Sequence, residues 1–514
     1  MLDISQAAVR LLAVRWTPRN HVALAGVILA GVILRVGVEI AYRPALFFSD
    51  SWEYLNIAYS TTPVGIAPSR PSGYPLLLRL LMFPGRDVLL VTVLQHVAGL
   101  VVGALVYGLL LHLGVRRLLA AAAAAVVVLN SYELALEQFL MAEALFTLLL
   151  TGAMFLTIVR AENPRSLMFA GLLLAIAATL RTAALFVIPV WLIYLVWTAR
   201  DRRRLTYAVA GVALPLLIYA SLHYVRTDGS FGLEQSQGWF LYGRVAQIAD
   251  CRGASVPRAT YPLCNTSARV RKKYPPDVWI WGATAPAERL FSGNPDYYVG
   301  RPGGHPQTAR IDGLLNDFAL AIVRRHPLAY ARTAVLDFLR FFDPGAPPSS
   351  DADGVTVTFP RRPLANWIAP AARKRYLPHY VPHVHWPASL LQKYQRVFQA
   401  PRLLLGAISI VAVLALLAPV LSFGRLPVRR RAEIFLLTGS GIVMLLASAA
   451  FVAFVVRYLI PSIPLLASGG LLAVNELIRA VKTSRFERAR SPAAQSATPA
   501  MVRLAPPRDP RPLN

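Results

Sequence analysis

Two carboxylates, Asp50 and Glu53, stand three positions apart in Phe47-Phe48-Ser49-Asp50-Ser51-Trp52-Glu53-Tyr54. That spacing puts both on one face of a helix. It supports two readings. Asp50 as N-cap with Glu53 at the third position would satisfy free backbone amides. Alternatively, two carboxylates so placed are free for acid–base chemistry. Three arginines supply the complementary chemistry, because the planar guanidinium fork suits a phosphate group. Arg70 precedes Pro71-Ser72-Gly73-Tyr74-Pro75, a rigid turn feeding an apolar helix, whereas Arg181 and Arg457 fall at the ends of apolar stretches. An ionised side chain deep in a span costs at least ~2.5 kcal/mol, so such residues tend to be functional; the plainer reading is that both arginines snorkel to the interface.

The remaining candidates are weaker. Glu53 and Glu143 fit the positioning of an acceptor or the binding of a divalent metal, and equally fit caps or helix packing. His379, His383 and His385 near Trp386 have metal-compatible spacing without a clear fourth ligand, which favours a non-metal role. The basic runs Arg269 to Lys273 and Arg373 to Arg375 suit anionic lipid, an acidic acceptor or bulk solvent. Asn265-Thr266-Ser267 fits a glycosylation acceptor pattern, which decides nothing without the compartment.

The elements that must position these groups are membrane spans. The 514 residues are 56% hydrophobic and 15% charged, and the mean hydropathy of +0.49 is that of a chain dissolved in lipid. Crossing a hydrocarbon core of roughly 30 Å takes about 20 mostly apolar residues, and several segments reach that length. The formal charge of +27 sits largely in short arginine clusters between apolar runs, which marks topology and not a nucleic-acid partner.

Spans are expected near 21–40, 88–113, 118–132, 141–159, 205–224, 402–423, 434–456 and 459–478. Residues 166 to 197 would make a helix of roughly 48 Å, too long for one crossing. With Arg181 at the centre and positive clusters at both ends, that stretch divides into two spans. The resulting fold class is an all-α polytopic membrane protein of about ten transmembrane helices, with both termini cytoplasmic. The first helix is expected to be a retained anchor, since no small-residue cleavage pattern follows it. Residues 1–225 form an N-terminal membrane module of seven spans whose first outside loop is 41–87. Residues 226–400, rich in Pro, Gly, Trp and Tyr, form a mixed extracytoplasmic domain inserted between spans seven and eight. Three spans follow in 401–482, and 483–514 is expected to be a disordered cytoplasmic tail. Glu133 and Glu137 are expected in a polar outside turn. Cys251 and Cys264, the two cysteines, lie thirteen positions apart in the insertion and are able to pair. A loop that size contributes on the order of 3 kcal/mol in an oxidising compartment. No Walker or Rossmann glycine pattern is present, which argues against coupling to a nucleotide.

Asp50, Arg70-Pro71-Ser72-Gly73-Tyr74-Pro75, Met141-Ala142-Glu143-Ala144-Leu145-Phe146, Leu180-Arg181-Thr182 and Arg457-Tyr458-x-x-Pro461 occur in that order. The series resembles the GT-C superfamily of lipid-carrier-dependent glycosyltransferases, of the protein mannosyltransferase and aminoarabinose lipid A transferase type. The resemblance covers residues 21 to 225 and the late spans; the 226–400 insertion matches no known pattern. It implies a GT-C-like fold and a sugar transferase drawing on a polyprenyl-phosphate-linked sugar, with an extracytoplasmic lipid, polysaccharide or protein as acceptor. It places the catalytic role on Asp50, with Glu53 beside it, and substrate binding on Arg70, Tyr74, Glu143, Arg181, Arg457 and Tyr458. Membrane lipids are the other expected partners, nucleic acid is not one, and no cofactor is required, with a divalent metal as the one option. The location implied is the cell membrane, multi-pass.

Two other classes compete: a transporter or lipid flippase, in which repeated halves and broken midplane helices would be expected, and a non-catalytic envelope-assembly protein, which would need neither Asp50 nor the arginines. The orientation is directly measurable. A phosphatase fusion near Gly300 should be active and a fluorescent-protein fusion there dark. The reverse pattern would mean that 166–197 is one span and that everything after it is inverted.

Overall fold

Helices fill the apolar runs because a helix satisfies its own backbone polar groups, which lipid cannot do. The computed structural model describes residues 20–59, 66–67, 70–83, 85, 87–198, 201–227, 231–281, 285–291, 308–346, 357–363, 376–417 and 426–495, with side chains to 480 apart from those of Ser49 and Thr308. Residue groups outside these ranges include Arg10, Arg15, Arg19, Arg200, Arg373 to Arg375 and Arg425, on which part of the charge reading rested.

In chain order the helices are α1 (Val22–Ala41), α2 (Ser49–Ala58), α3 (Gly73–Leu81), α4 (Leu89–His112), α5 (Arg117–Val128), α6 (Ser131–Gln138), α7 (Glu143–Val159), α8 (Pro164–Leu180), α9 (Ala184–Thr198) and α10 (Arg202–Arg226). The insertion adds α11 (Gln237–Val245), α12 (Ala268–Lys273), α13 (Pro276–Trp281), α14 (Pro286–Phe291), α15 (Thr308–Arg325), α16 (Pro327–Arg340) and α17 (Ala388–Val397). The chain closes with α18 (Arg402–Leu417), α19 (Val428–Phe451) and α20 (Ile463–Gln495).

Among the described residues five helices are long and apolar enough to cross a membrane, or seven if the bent pairs α5 with α6 and α17 with α18 each count as one. Three shorter apolar helices, α7, α8 and α9, stand beside them. Helices therefore occupy each of the expected segments, and 166–197 does break, at Arg181. Leu29, Ile33 and Val36 on α1 and Leu214, Leu217 and Ile218 on α10 point outward and exposed, the surface a bilayer solvent requires. This is a multi-pass, all-α membrane protein.

The turn expected to carry Glu133 and Glu137 to the outside is instead a buried helix. Glu137 is fully enclosed, and its Oε1 accepts from Arg35 Nη2 at 2.6 Å while Oε2 lies 2.8 Å from His96 Nδ1. Arg35 also donates to the His96 carbonyl at 3.1 Å and the Val128 carbonyl at 3.0 Å. An arginine in the first span is tolerable in lipid only with such partners, and their fit needs space. A Cβ on Gly99 would overlap the Glu137 carboxylate. The cluster locks α1, α4 and α6 together. From it the chain runs to a parallel bridge, in which Leu46 N donates to Gln138 O at 2.9 Å and Leu140 N to Leu46 O at 3.1 Å. That bridge fixes where the 41–87 segment begins.

The insertion is helical, not mixed, where it is described. Its described elements are helices and 3-10 turns. Trp239, Tyr242, Trp279, Leu315, Phe318 and Ile322 form a separate core, whereas Phe341, Phe359, Tyr380 and Leu391 pack into the same core as the spans. Cys251 and Cys264 are disulfide-bonded. The histidines tie the insertion's end to α1, since His383 N donates to Arg43 O at 2.9 Å and His385 N to Ala41 O at 3.0 Å. The tail expected to be disordered from 483 begins as a continuation of α20 to Gln495; 496–514 lie outside the described residues.

Close backbone approach sets the α8–α10 crossing. A Cβ on Gly171 would lie 2.6 Å from Ala208 O, and one on Gly211 would overlap the Met168 backbone. Gly211→Val should cost about 1–3 kcal/mol through overpacking, read as an earlier thermal unfolding transition in detergent. Gly26→Ala, with open space at its Cβ, should leave that transition where it is or raise it slightly.

Candidate functional site

At one end of the bundle, α2, the Arg70 turn, α7, the α8–α9 break and the segment between α19 and α20 converge. The start of α2 is capped differently from the sequence expectation. Phe48 is the cap residue and its N–H donates to Ser51 Oγ at 2.9 Å. Asp50 sits inside the first turn and is released for side-chain partners. Its Oδ1 accepts from Arg70 Nη2 at 2.8 Å and its Oδ2 from Arg457 Nη1 at 2.8 Å. Glu53 pairs with the other edge of Arg70, and Glu143 with Arg181. One carboxylate thus joins the first loop to a residue 407 positions later.

Electrostatics follow from that enclosure. Asp50 is 5% exposed, and burial alone would push its pKa up. The Arg457, Arg70 and Arg181 guanidiniums outweigh burial and hold it well below the usual carboxylate range. Aromatic faces support the cations: Arg457 stands 4.8 Å from the Phe48 ring centroid and 5.1 Å from Tyr458, Arg181 stands 5.3 Å from Tyr458, and Arg70 stands 5.6 Å from Tyr54.

These groups border a cavity of about 340 Å³. Its polar lining includes Tyr54, Arg70, Glu143, Arg181, Thr182, Glu234, Arg457 and Tyr458. Its apolar lining includes Leu185, Phe186, Met444, Ala447, Phe451 and Val452, from α9 and the end of α19. Two buried polar atoms of these residues, Arg457 Nε and Glu143 Oε2, have no hydrogen-bond partner among the described residues, an exception to the usual satisfaction of buried groups.

Of the residues expected from sequence, Arg70, Glu143, Arg181, Arg457 and Tyr458 meet at the cavity wall. Asp50 and Glu53 stand behind it, held by Arg70. Tyr74 is fully buried; its hydroxyl donates to Gln95 Oε1 at 2.7 Å, and its ring packs edge-on against Tyr54, so it supports the site from beneath. The metal option fits poorly: both candidate carboxylates are spent on guanidiniums, and among the described residues no three His, Cys, Asp or Glu side chains stand together as a metal would need. Glu234 was missed. It lies in the segment between α10 and α11, where neither periodicity nor motif marks it. Thr182 Oγ1 donates to its Oε1 at 3.1 Å, and burial, partly offset by Arg70, raises its pKa to about 7.

Removing Asp50 would leave two guanidiniums facing each other. Asp50→Leu should destabilise the protein by about 3–5 kcal/mol. Asp50→Asn keeps an acceptor oxygen and should cost less, about 1–3 kcal/mol. Thermal unfolding of the purified variants reads the order; equal stability of all three proteins would remove Asp50 as the anchor.

No known family model matches this sequence, and no curated protein does. The structure is similar to the archaeal oligosaccharyltransferase AglB from Archaeoglobus fulgidus, solved in complex with an inhibitory peptide and a dolichol-phosphate. That match has a TM-score of 0.40 and 12% identity over 94% of this chain and 52% of that one. The apo form of an oligosaccharyltransferase from Archaeoglobus fulgidus matches at a TM-score of 0.40 with 13% identity, over 90% and 52%. This chain thus spans about half the length of the solved structures it matches.

Proposed function

We propose that this protein is a membrane glycosyltransferase that moves a sugar, a hexose or pentose, from a polyprenyl-phosphate donor to an extracytoplasmic lipid, polysaccharide or protein. One observation carries the reading: a single cavity is lined both by guanidiniums and by apolar side chains from α9 and α19. An anionic head joined to a hydrocarbon tail needs both kinds of lining. The ordered motifs shared with GT-C enzymes, quoted above, add to it.

In this reading Arg181, Arg457 and Arg70, which line the cavity, receive the donor phosphate. They stabilise the charge that builds on the phosphate as the glycosidic bond breaks. The tail lies against Leu185, Phe186, Met444 and Phe451. The acceptor oxygen attacks the anomeric carbon from the side opposite the phosphate, so configuration inverts in a single displacement. Asp50 would act as the general base only after donor phosphate has drawn Arg70 and Arg457 from it, because a carboxylate held between two guanidiniums is a weak base. Its supported part is to hold those arginines apart and aimed. The ten-span arrangement, with both termini cytoplasmic and 226–400 outside in the cell membrane, belongs to the same proposal. It counts α7, α8 and α9 as spans, although at about 22–26 Å they are shorter than the core they cross.

Purified protein in nanodiscs should bind a polyprenyl phosphate and discriminate against the same polyprenol without phosphate. Arg181→Ala and Arg457→Ala should each weaken that binding about 10- to 100-fold, the loss of one charge-assisted hydrogen bond. If polyprenol and its phosphate competed equally for wild-type protein, the lipid-phosphate reading would fall.

A further inference from the structure

Glu234 differs from the other carboxylates of the site in one respect. Asp50, Glu53 and Glu143 are each ion-paired to an arginine, whereas the hydrogen bond that Glu234 accepts comes from the neutral Thr182 hydroxyl. It also lines the cavity, which Asp50 and Glu53 do not. Its place is set from both sides. Leu233 before it is buried and its carbonyl lies 3.5 Å from the Tyr219 hydroxyl, while Gln235 after it donates to the Thr227 carbonyl at 3.2 Å. The same Tyr219 hydroxyl accepts from Ser72 N at 2.8 Å, at the end of the Arg70 turn. The Glu234 segment and the arginine cluster are therefore built on one support.

Resting on the glycosyltransferase reading, we propose that Glu234 is the catalytic proton acceptor of the transfer. The acceptor's O–H bond breaks with its proton passing to a Glu234 oxygen. The acceptor oxygen bonds to the anomeric carbon, and the anomeric carbon–oxygen bond breaks with its electron pair leaving on the polyprenyl phosphate at the arginines. Thr182 donates to one carboxylate oxygen and the Ser236 hydroxyl stands beside the same carboxylate, so both neighbours of Glu234 are neutral donors. The charged and titratable groups that face Glu234 are Arg70 from the turn before α3, Arg181 from the α8–α9 break and Tyr219 from α10, with Glu143, Arg457, Tyr54 and Tyr458 around the same cavity. Burial leaves Glu234 titrating near neutral pH, about 7, where a base combines a useful ionised fraction with useful basicity. The sign is fixed: the ionised form is the base, so transfer rises as pH climbs through about 7 and levels above it.

The test uses full-length protein in nanodiscs, a polyprenyl phosphate as binding probe, and radiolabelled polyprenyl-phosphate hexose and pentose in membranes as turnover probes. Glu234→Gln should bind polyprenyl phosphate at least as well as wild type, because a negative charge beside the arginines is gone. It should lose turnover by at least ~10²-fold and lose the acid limb of the pH profile, while Glu234→Asp restores part of both. Infrared difference spectra of wild type should show a carboxyl band titrating near neutral pH that is absent in Glu234→Gln, a readout that needs no turnover. Wild-type-like turnover and limb in Glu234→Gln would overturn the inference while leaving the lipid-phosphate reading intact, and so would a missing band. Failure of wild-type protein to prefer the phosphate over the alcohol would instead overturn both.

Discussion

The Asp50 carboxylate between Arg70 and Arg457 is the interaction on which the site depends. Three cations near one cavity repel one another, and in a low-dielectric surround that repulsion is large. A buried anion placed between two of them converts the repulsion into a fixed geometry. It also joins segments that nothing in the chain holds close, the first loop and the turn before the last helix. Pairing of this kind is not a source of great stability, since desolvation offsets much of the attraction. What it supplies is placement, and an anion-binding site needs placement of its cations before its ligand arrives.

Placement of Asp50 in turn rests on a second ion pair, deeper in the bundle. Arg35, Glu137 and His96 tie three helices, and Gln95 extends the tie by donating to the Glu137 and Phe139 carbonyls at 2.7 and 2.8 Å. The Gln95 amide oxygen then accepts from Tyr74, whose ring backs Tyr54 beneath Arg70. A polar relay thus runs from the lipid-embedded part of the fold to the wall of the cavity. Each member is satisfied by the next, and that is the condition under which such a chain specifies structure in place of weakening it.

Legibility in the sequence followed the kind of signal each residue carries. Spans announce themselves by composition over about 20 residues, so the helices, and even the break at Arg181, were readable. Arginines at the ends of apolar runs are conspicuous for the same reason, and Arg181 and Arg457 do meet at the cavity. Contacts between distant segments leave no local trace. Glu137 reads as a polar turn because its partner Arg35 is 102 positions away, and Asp50 reads as a helix cap because the backbone pattern around it is that of a cap. Glu234 sits where no motif or period exists, outside the ordered motif series. The two cores of the insertion were equally hidden, since composition reports how much apolar surface a segment has but not which surface it meets.

The charge count of the site ties the two halves of the proposed reaction together. Arg70, Arg181 and Arg457 face Asp50, Glu53, Glu143 and Glu234, so with every group ionised the cluster already carries one negative charge in excess. A donor phosphate adds to that excess, and the lipid phosphate left behind after transfer adds more. Each step raises the proton affinity of the one carboxylate not committed to an arginine, because nearby negative charge favours the neutral acid. Glu234 therefore becomes a better proton acceptor as the sugar departs from its phosphate. Once the lipid phosphate diffuses back into the bilayer the excess falls, and the same electrostatics release the proton. In the proposed reaction, proton uptake and phosphate departure are in this way driven by one set of charges.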